Sequence, residues 1–185
     1  DRPQPREACQ ITEDYDLHKD GYILYLARLV PEKGLVYLVD AFKQVHTDKR
    51  LVIAGGSSDT DVFAMELKAR AADDPRIVFT GFVQGQRLEE LYSNAYVYTL
   101  PSDLEGMPLS LLEAMSYGNC CLTSDIPECA EVIEDKAVTF RKSDTEDLRC
   151  KMQYLCDHPE TVDQYKSTAQ DFICEKYNWD DVVAQ

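Results

Sequence analysis

Residues 22–54 read YILYLARLVPEKGLVYLVDAFKQVHTDKRLVIA. Tyr22 to Leu26 is a short, continuous apolar run, the pattern of a strand buried on both faces. Arg28 to Gly34 is a charged loop holding a proline and a glycine. From there Leu35, Leu38, Val39, Phe42 and Val45 fall at helical spacing and form one apolar face. Leu51 to Ala54 is a second buried strand. Strand, loop, amphipathic helix and strand in that order are the unit from which parallel sheets are built.

The same alternation continues outward. Gly55 and Gly56 break the second strand, and Asp61 to Ala72 reads as a helix. Ile77 to Phe79 is a strand. Gln86 to Asn94 is a helix with Leu88, Leu91 and Tyr92 on one face. Tyr96 to Leu100 is a strand ended by Pro101. Pro108 to Tyr117 is a helix, since proline suits the first turn and Gly118 suits the stop. Cys120 to Thr123 is a strand, followed by a short helix near Glu128 to Ile133. Ala137 to Phe140 is the sixth strand. Ser143 and Glu146 stand at capping-box spacing, so a helix is expected from there to about Asp157. Pro159 opens a last helix that ends near Tyr177. Continuous apolar strands alternating with helices predict an α/β domain: a doubly wound, Rossmann-like parallel six-stranded sheet with helices on both faces. Residues 1–20 are polar, carry Pro3 and Pro5 and show no periodic pattern. They are expected to be a lead-in or interdomain linker, with residues 21–185 forming the domain.

Composition narrows the function. The chain has 185 residues, 19 Lys plus Arg against 34 Asp plus Glu, and a formal net charge of −15. A surface so acidic does not suit a phosphate backbone, which excludes nucleic acid as a partner. It also speaks against bulk adhesion to anionic lipid. No apolar run reaches the length of a membrane span and no signal peptide is visible, so the expected location is cytoplasmic. The first residue is Asp1 rather than Met, as in a processed product or an excised domain. Seven cysteines without a C-x-x-C pair read as small buried apolar side chains in a reducing compartment, and no metal site is expected.

In a doubly wound sheet, ligands sit beyond the carboxyl ends of the strands. In the first such loop Arg28 can fork onto a phosphate and Lys33 can add a point charge to the same anion. Taken alone, the same loop reads more readily as a solvated turn with scattered charge. Gly55 and Gly56 in the second leave room for a ligand or simply turn the chain. No dinucleotide fingerprint and no P-loop occurs. The most informative stretch is Ser102-Asp103-Leu104-Glu105-Gly106-Met107-Pro108-Leu109-Ser110-Leu111-Leu112-Glu113. Glu105 precedes a helix N-terminus whose free N–H groups favour a phosphate. Glu113 lies about five residues inside that helix among Leu111, Leu112, Ala114 and Met115. A carboxylate in such company either faces a polar cleft or is buried with a partner. As acceptors, Glu105 suits sugar hydroxyls and Glu113 a ribose diol. A glycosidase-like acid/base pair is a further possibility for the same two carboxylates.

Three of these stretches together resemble a known family. Ala27-Arg28-Leu29-Val30-Pro31-Glu32-Lys33-Gly34 is similar to the G-R-L-x-x-E-K-G of the group 1, or family 4, retaining glycosyltransferases. Pro101-Ser102 through Glu105-Gly106-Met107-Pro108 to Glu113-Ala114 resembles their P-S-x-x-E-G-x-P-x-x-x-x-E-A, with the E-x7-E spacing. Ser124-Asp125 through Glu131-Val132 resembles their S-D-x-x-x-x-x-E-V. The likeness runs from Tyr22 to Trp179. It implies the carboxy-terminal, donor-binding half of a GT-B fold, whose amino-terminal acceptor domain is not in this chain. Asp1 and the polar start then fit a cut near the interdomain linker.

The resemblance further implies a nucleotide-sugar co-substrate, such as a UDP- or GDP-sugar, with no metal or other cofactor. It places Arg28 and Lys33 on the diphosphate, Glu113 on the ribose and Glu105 on the donor sugar. It also places the backbone of Gly106, Met107, Pro108, Leu109 and Ser110 facing diphosphate or sugar. Gly55 and Gly56 join the donor site, and the loop at Phe82 and Val83 borders the base. The implied activity is retaining transfer of a hexose in polysaccharide or glycolipid assembly, with the isolated half inactive. Membrane contact, if any, belongs to the full-length enzyme at the inner membrane face. Ala27 and Pro127-Glu128 depart from the family's glycines. The alternative is a non-catalytic nucleotide-sugar or protein-binding module of the same fold, with a non-hydrolysing epimerase relative as a lesser one.

Overall fold

A computed structural model describes residues 2–58 and 60–177. Six strands form one parallel sheet: β1 (Tyr22–Leu26), β2 (Arg50–Ala54), β3 (Ile77–Gly81), β4 (Val97–Leu100), β5 (Cys121–Ser124) and β6 (Val138–Phe140). Their spatial order is β3-β2-β1-β4-β5-β6, with helices on both sides, as the alternation predicts. Tyr22 stands opposite Arg50 and Leu26 opposite Ala54, while Ile23 pairs with Val97 on the other side. The chain builds outward from β1 to β3, then returns to add β4 beside β1. The order therefore reverses between β1 and β4, the place where such sheets open a crevice.

The helices are α1 (Gln10–Tyr15), α2 (Leu35–Lys43), α3 (Val62–Ala71), α4 (Gly85–Asn94), α5 (Leu109–Ser116), α6 (Pro127–Ile133), α7 (Thr145–Asp157) and α8 (Pro159–Lys176). A 3-10 turn at Pro31–Lys33 precedes α2. Helix α2 packs on α7 and α5 on α8. The central strands are buried along nearly their whole length, which is why they lack polar alternation. Their tyrosines are buried as well, each with its hydroxyl satisfied. Tyr22 donates to the Leu91 carbonyl at 2.7 Å and Tyr25 to the Arg28 carbonyl at 2.7 Å.

Three expectations change. The polar start contains a helix: α1 docks on α4, with Ile11 and Leu17 fully buried. A helix of one and a half turns with one buried apolar residue leaves no readable period. Its first donors are satisfied from far along the chain, where Glu90 accepts from the Cys9 amide at 2.8 Å and the Ile11 amide at 3.1 Å. Helix α7 is capped by Asp144, which accepts from the Asp147 amide at 2.9 Å, rather than by Ser143. Ser143 instead stands in the left-handed region, at φ 62°. The cysteines divide: Cys120, Cys121 and Cys129 are buried, but Cys9 and Cys150 are exposed. Burial pushes the Cys120 and Cys129 thiols up to about 12, so these two are inert apolar filling.

Candidate functional site

The loops that leave β1 and β4 meet at the reversal point of the sheet. Gly34 has φ 75°, and a Cβ there would stand 1.9 Å from the Pro101 carbonyl oxygen. Only glycine permits that conformation and that approach together. Across this contact Lys33 Nζ lies 2.7 Å from Glu105 Oε2, with Lys33 18% and Glu105 4% exposed. Ser102 Oγ donates to the same carboxylate oxygen at 2.6 Å, and Ser124 Oγ donates to the Ser102 carbonyl at 2.5 Å. The pair is thus sheltered and held from β5 as well as β4. Arg28 is exposed, and its guanidinium makes no hydrogen bond or ion pair among the described residues. Its backbone is fixed, because Tyr25 donates its hydroxyl to the Arg28 carbonyl at 2.7 Å. Burial, and then the charge of Glu105, push the Tyr25 phenol far above its ordinary value, so it remains a donor.

Helix α5 begins at Leu109, only a few residues beyond Glu105, so its N-terminus follows directly on this junction. Pro108 is the capping residue just outside the helix. The Leu109 amide is engaged by the Met107 carbonyl at 2.9 Å, so it is not free for a ligand. The Met107 and Ser110 amides carry no backbone hydrogen bond outside regular structure among the described residues. Tyr98, on β4, donates to Ser110 Oγ at 2.7 Å and so anchors the first turn of the helix. Gly106, Met107 and Leu109 are exposed.

A second group lies at the ends of β2 and β3. Gly55 is needed for close approach, since a Cβ there would meet the Ala27 carbonyl oxygen at 1.9 Å. Gly56, Met65, Lys68, Phe79 and Phe82 line a cavity of about 260 Å³ beside it. Phe82 is 72% exposed, an aromatic face open to a planar ligand. Val83, expected beside it, turns inward and is buried, so it supports the loop from below.

Glu113 lies further along α5, about one turn beyond Leu109. It is half-buried and lines a cavity of about 270 Å³ with Arg2, Leu112, Tyr117, Ile173 and Cys174. Burial raises its pKa above the ordinary carboxylate value. A desolvated carboxylate gains most when a ligand supplies donors. The structure therefore unites Lys33, Gly34 and Glu105, keeps Gly55, Gly56 and Phe82 together, and has Glu113 line another cavity from α5. Sequence reasoning missed Tyr25, Tyr98, Ser102 and Ser124 as supports of the site. One signal existed: Ser102 and Glu105 are only three residues apart, near enough in the chain for hydroxyl and carboxylate to meet within one loop.

A family model described as "Glycosyl transferases group 1" matches residues 11–172, beginning inside α1. An O-antigen chain mannosyltransferase B of Escherichia coli is 28% identical over 146 residues, which are 77% of this chain and 38% of that protein. The C-terminal domain of a glycosyl transferase group 1 family protein of Francisella tularensis superposes with a TM-score of 0.78 at 22% identity. That match covers 94% of each chain. An Anabaena protein, HepE, in complex with UDP and glucose superposes with a TM-score of 0.80 at 17% identity, over 90% of this chain and 47% of that one. The likeness to these solved structures is one of fold. The chain spans less than half the length of the Escherichia coli relative. No helix among the described residues is long and apolar enough to cross a membrane.

Proposed function

The chain belongs to the group 1 glycosyltransferase family, and on that premise we propose that it is the donor-binding half of a retaining hexosyltransferase that uses a nucleotide sugar. The observation that carries this reading is the junction at the sheet's reversal point. There Arg28, Lys33, Glu105 and the N-terminus of α5 come from two loops packed backbone to backbone. Negative charge builds on the diphosphate as the glycosyl bond breaks. Arg28, Lys33 and the helix N-terminus are the groups that neutralise it without a metal. Glu105 accepts from hydroxyls of the sugar, Glu113 accepts from the ribose diol, and Phe82 stacks on the base. The Anabaena protein named in complex with UDP and glucose supports a uridine nucleotide as the first donor to try. The Escherichia coli relative's name, an O-antigen chain mannosyltransferase, supports a role in polysaccharide assembly. The acceptor is bound by an amino-terminal domain, and this half alone binds donor without transferring it.

Calorimetric titration with UDP, GDP, ADP and their sugar conjugates tests the reading. One nucleotide is expected to bind saturably. Arg28→Ala and Glu113→Ala are each expected to weaken it by about 1.5–3 kcal/mol, the worth of a hydrogen bond to a charged group. Absence of binding to all of them, in this chain and in one extended at its amino-terminal end, returns the non-catalytic protein-binding module as the better reading.

A further inference from the structure

We propose that Asp103 is a positioning residue for the Lys33–Glu105 pair, holding the β4–α5 loop against the β1–α2 loop from outside the site; its importance for transfer rests on the donor-site reading above. Asp103 sits between Ser102 and Glu105 in sequence, but its carboxylate bonds Tyr37 and Ser143 rather than either member of the pair. Three hydrogen bonds converge on it from three different elements. Its amide donates to the Glu32 carbonyl at 2.9 Å, next to Lys33 in the 3-10 turn. Its Oδ2 accepts from the Tyr37 hydroxyl of α2 at 2.8 Å. Its Oδ1 accepts from Ser143 Oγ at 2.6 Å, across the β6–α7 loop. Glu105 lies two residues further on, in a loop without regular structure. With Ser102 engaged by Glu105 from the inside, Asp103 is the outer anchor of the same short segment.

The backbone at Ser143 supports a specific demand for this bond. Ser143 holds φ 62°, a conformation that disfavours side-chain-bearing residues and that glycine adopts freely. What serine offers there, and glycine does not, is the hydroxyl that reaches Asp103. Ser143→Gly therefore separates two roles. It relieves the backbone, so a merely structural residue predicts a fold at least as stable. It also removes one anchor bond, so a positioning role predicts a looser Lys33–Glu105 contact.

The readout is the acetylation rate of Lys33 in the 185-residue chain, followed by mass spectrometry with no nucleotide added and normalised to Lys151. Lys33 is sheltered and paired, and it reacts when the pair opens. Glu105→Gln marks the ceiling, since it removes the partner charge. Ser143→Gly and Tyr37→Phe are each expected to raise the Lys33 rate about fivefold, the worth of one hydrogen bond. Asp103→Ala should approach the ceiling. The melting temperature of Ser143→Gly should equal or exceed that of the parent. An unchanged Lys33 rate in folded Ser143→Gly and Tyr37→Phe overturns the proposal, whether or not Asp103→Ala folds. Because no donor takes part, this result stands or falls apart from the nucleotide titration.

Discussion

Gly34→Ala is expected to destabilise the domain by about 2–5 kcal/mol, the left-handed penalty of about 1–2 added to an overpacking cost of about 1–3. Two costs combine. An alanine at φ 75° carries the left-handed penalty of roughly 1–2 kcal/mol. Its Cβ would also stand 1.9 Å from the Pro101 carbonyl oxygen and 2.7 Å from the Pro101 carbonyl carbon. Both are backbone atoms, so no rotamer change relieves the contact, and the two site loops must separate. Gly118→Ala is the control. It has φ 82° but only an ordinary contact, with the Lys166 carbonyl oxygen at 3.9 Å. It should cost the conformational part alone. Urea unfolding of both variants measures the difference. Equal losses would mean that the loops do not need this approach. Donor binding by Gly34→Ala should fall further than its stability, because Lys33 sits next to the displaced residue.

Glu90→Ala is expected to cost about 3 kcal/mol, because it strips acceptors from buried donors. Glu90 is fully buried. It accepts from the Cys9 and Ile11 amides, and from Gln86 Nε2 at 2.7 Å. Alanine leaves those amides without partners and removes the charge at the N-terminus of α1. Amide exchange over residues 9–17 should accelerate before the rest of the domain responds, since α1 docks through this carboxylate. The pH dependence follows from its pKa. Burial alone would raise it; the hydrogen bonds from Cys9, Ile11 and Gln86 outweigh burial and hold it below its ordinary 4.5. Its stabilising contribution is therefore complete above pH of about 4.5 and fades as pH falls through the depressed folded value. Glu90→Gln keeps the shape and should lose this acid sensitivity. A wild-type acid transition identical to that of Glu90→Gln would refute the assignment.

The alternation of buried strands and amphipathic helices is a local property, and it was legible. Runs such as Tyr22–Leu26 and Leu51–Ala54 have the length and composition of strands covered on both faces, and a parallel sheet follows from their alternation with helices. The stretches around Arg28 to Gly34 and Glu105 to Glu113 were legible for the same reason: each is continuous in the chain. The local pattern did not tell how differently Glu105 and Glu113 are housed. One is buried in an ion pair beside Lys33, the other lines a separate cavity with Arg2 and α8.

Partners far apart in the chain were beyond the reach of local pattern. Lys33 and Glu105 are 72 residues apart, Ile11 and Glu90 are 79, and Asp103 and Ser143 are 40. Nothing in a neighbourhood of three or four residues records which loop the sheet order will bring alongside another. The sequence by itself determined the strands, the helices and the loop motifs by which the chain resembles its family, because apolar period and backbone chemistry act over a few residues. Only the tertiary structure decided which charges neutralise each other, which glycines are packed rather than turned, and that the polar first twenty residues include a docked helix. Those outcomes depend on side chains meeting across a sheet whose strand order reverses between β1 and β4.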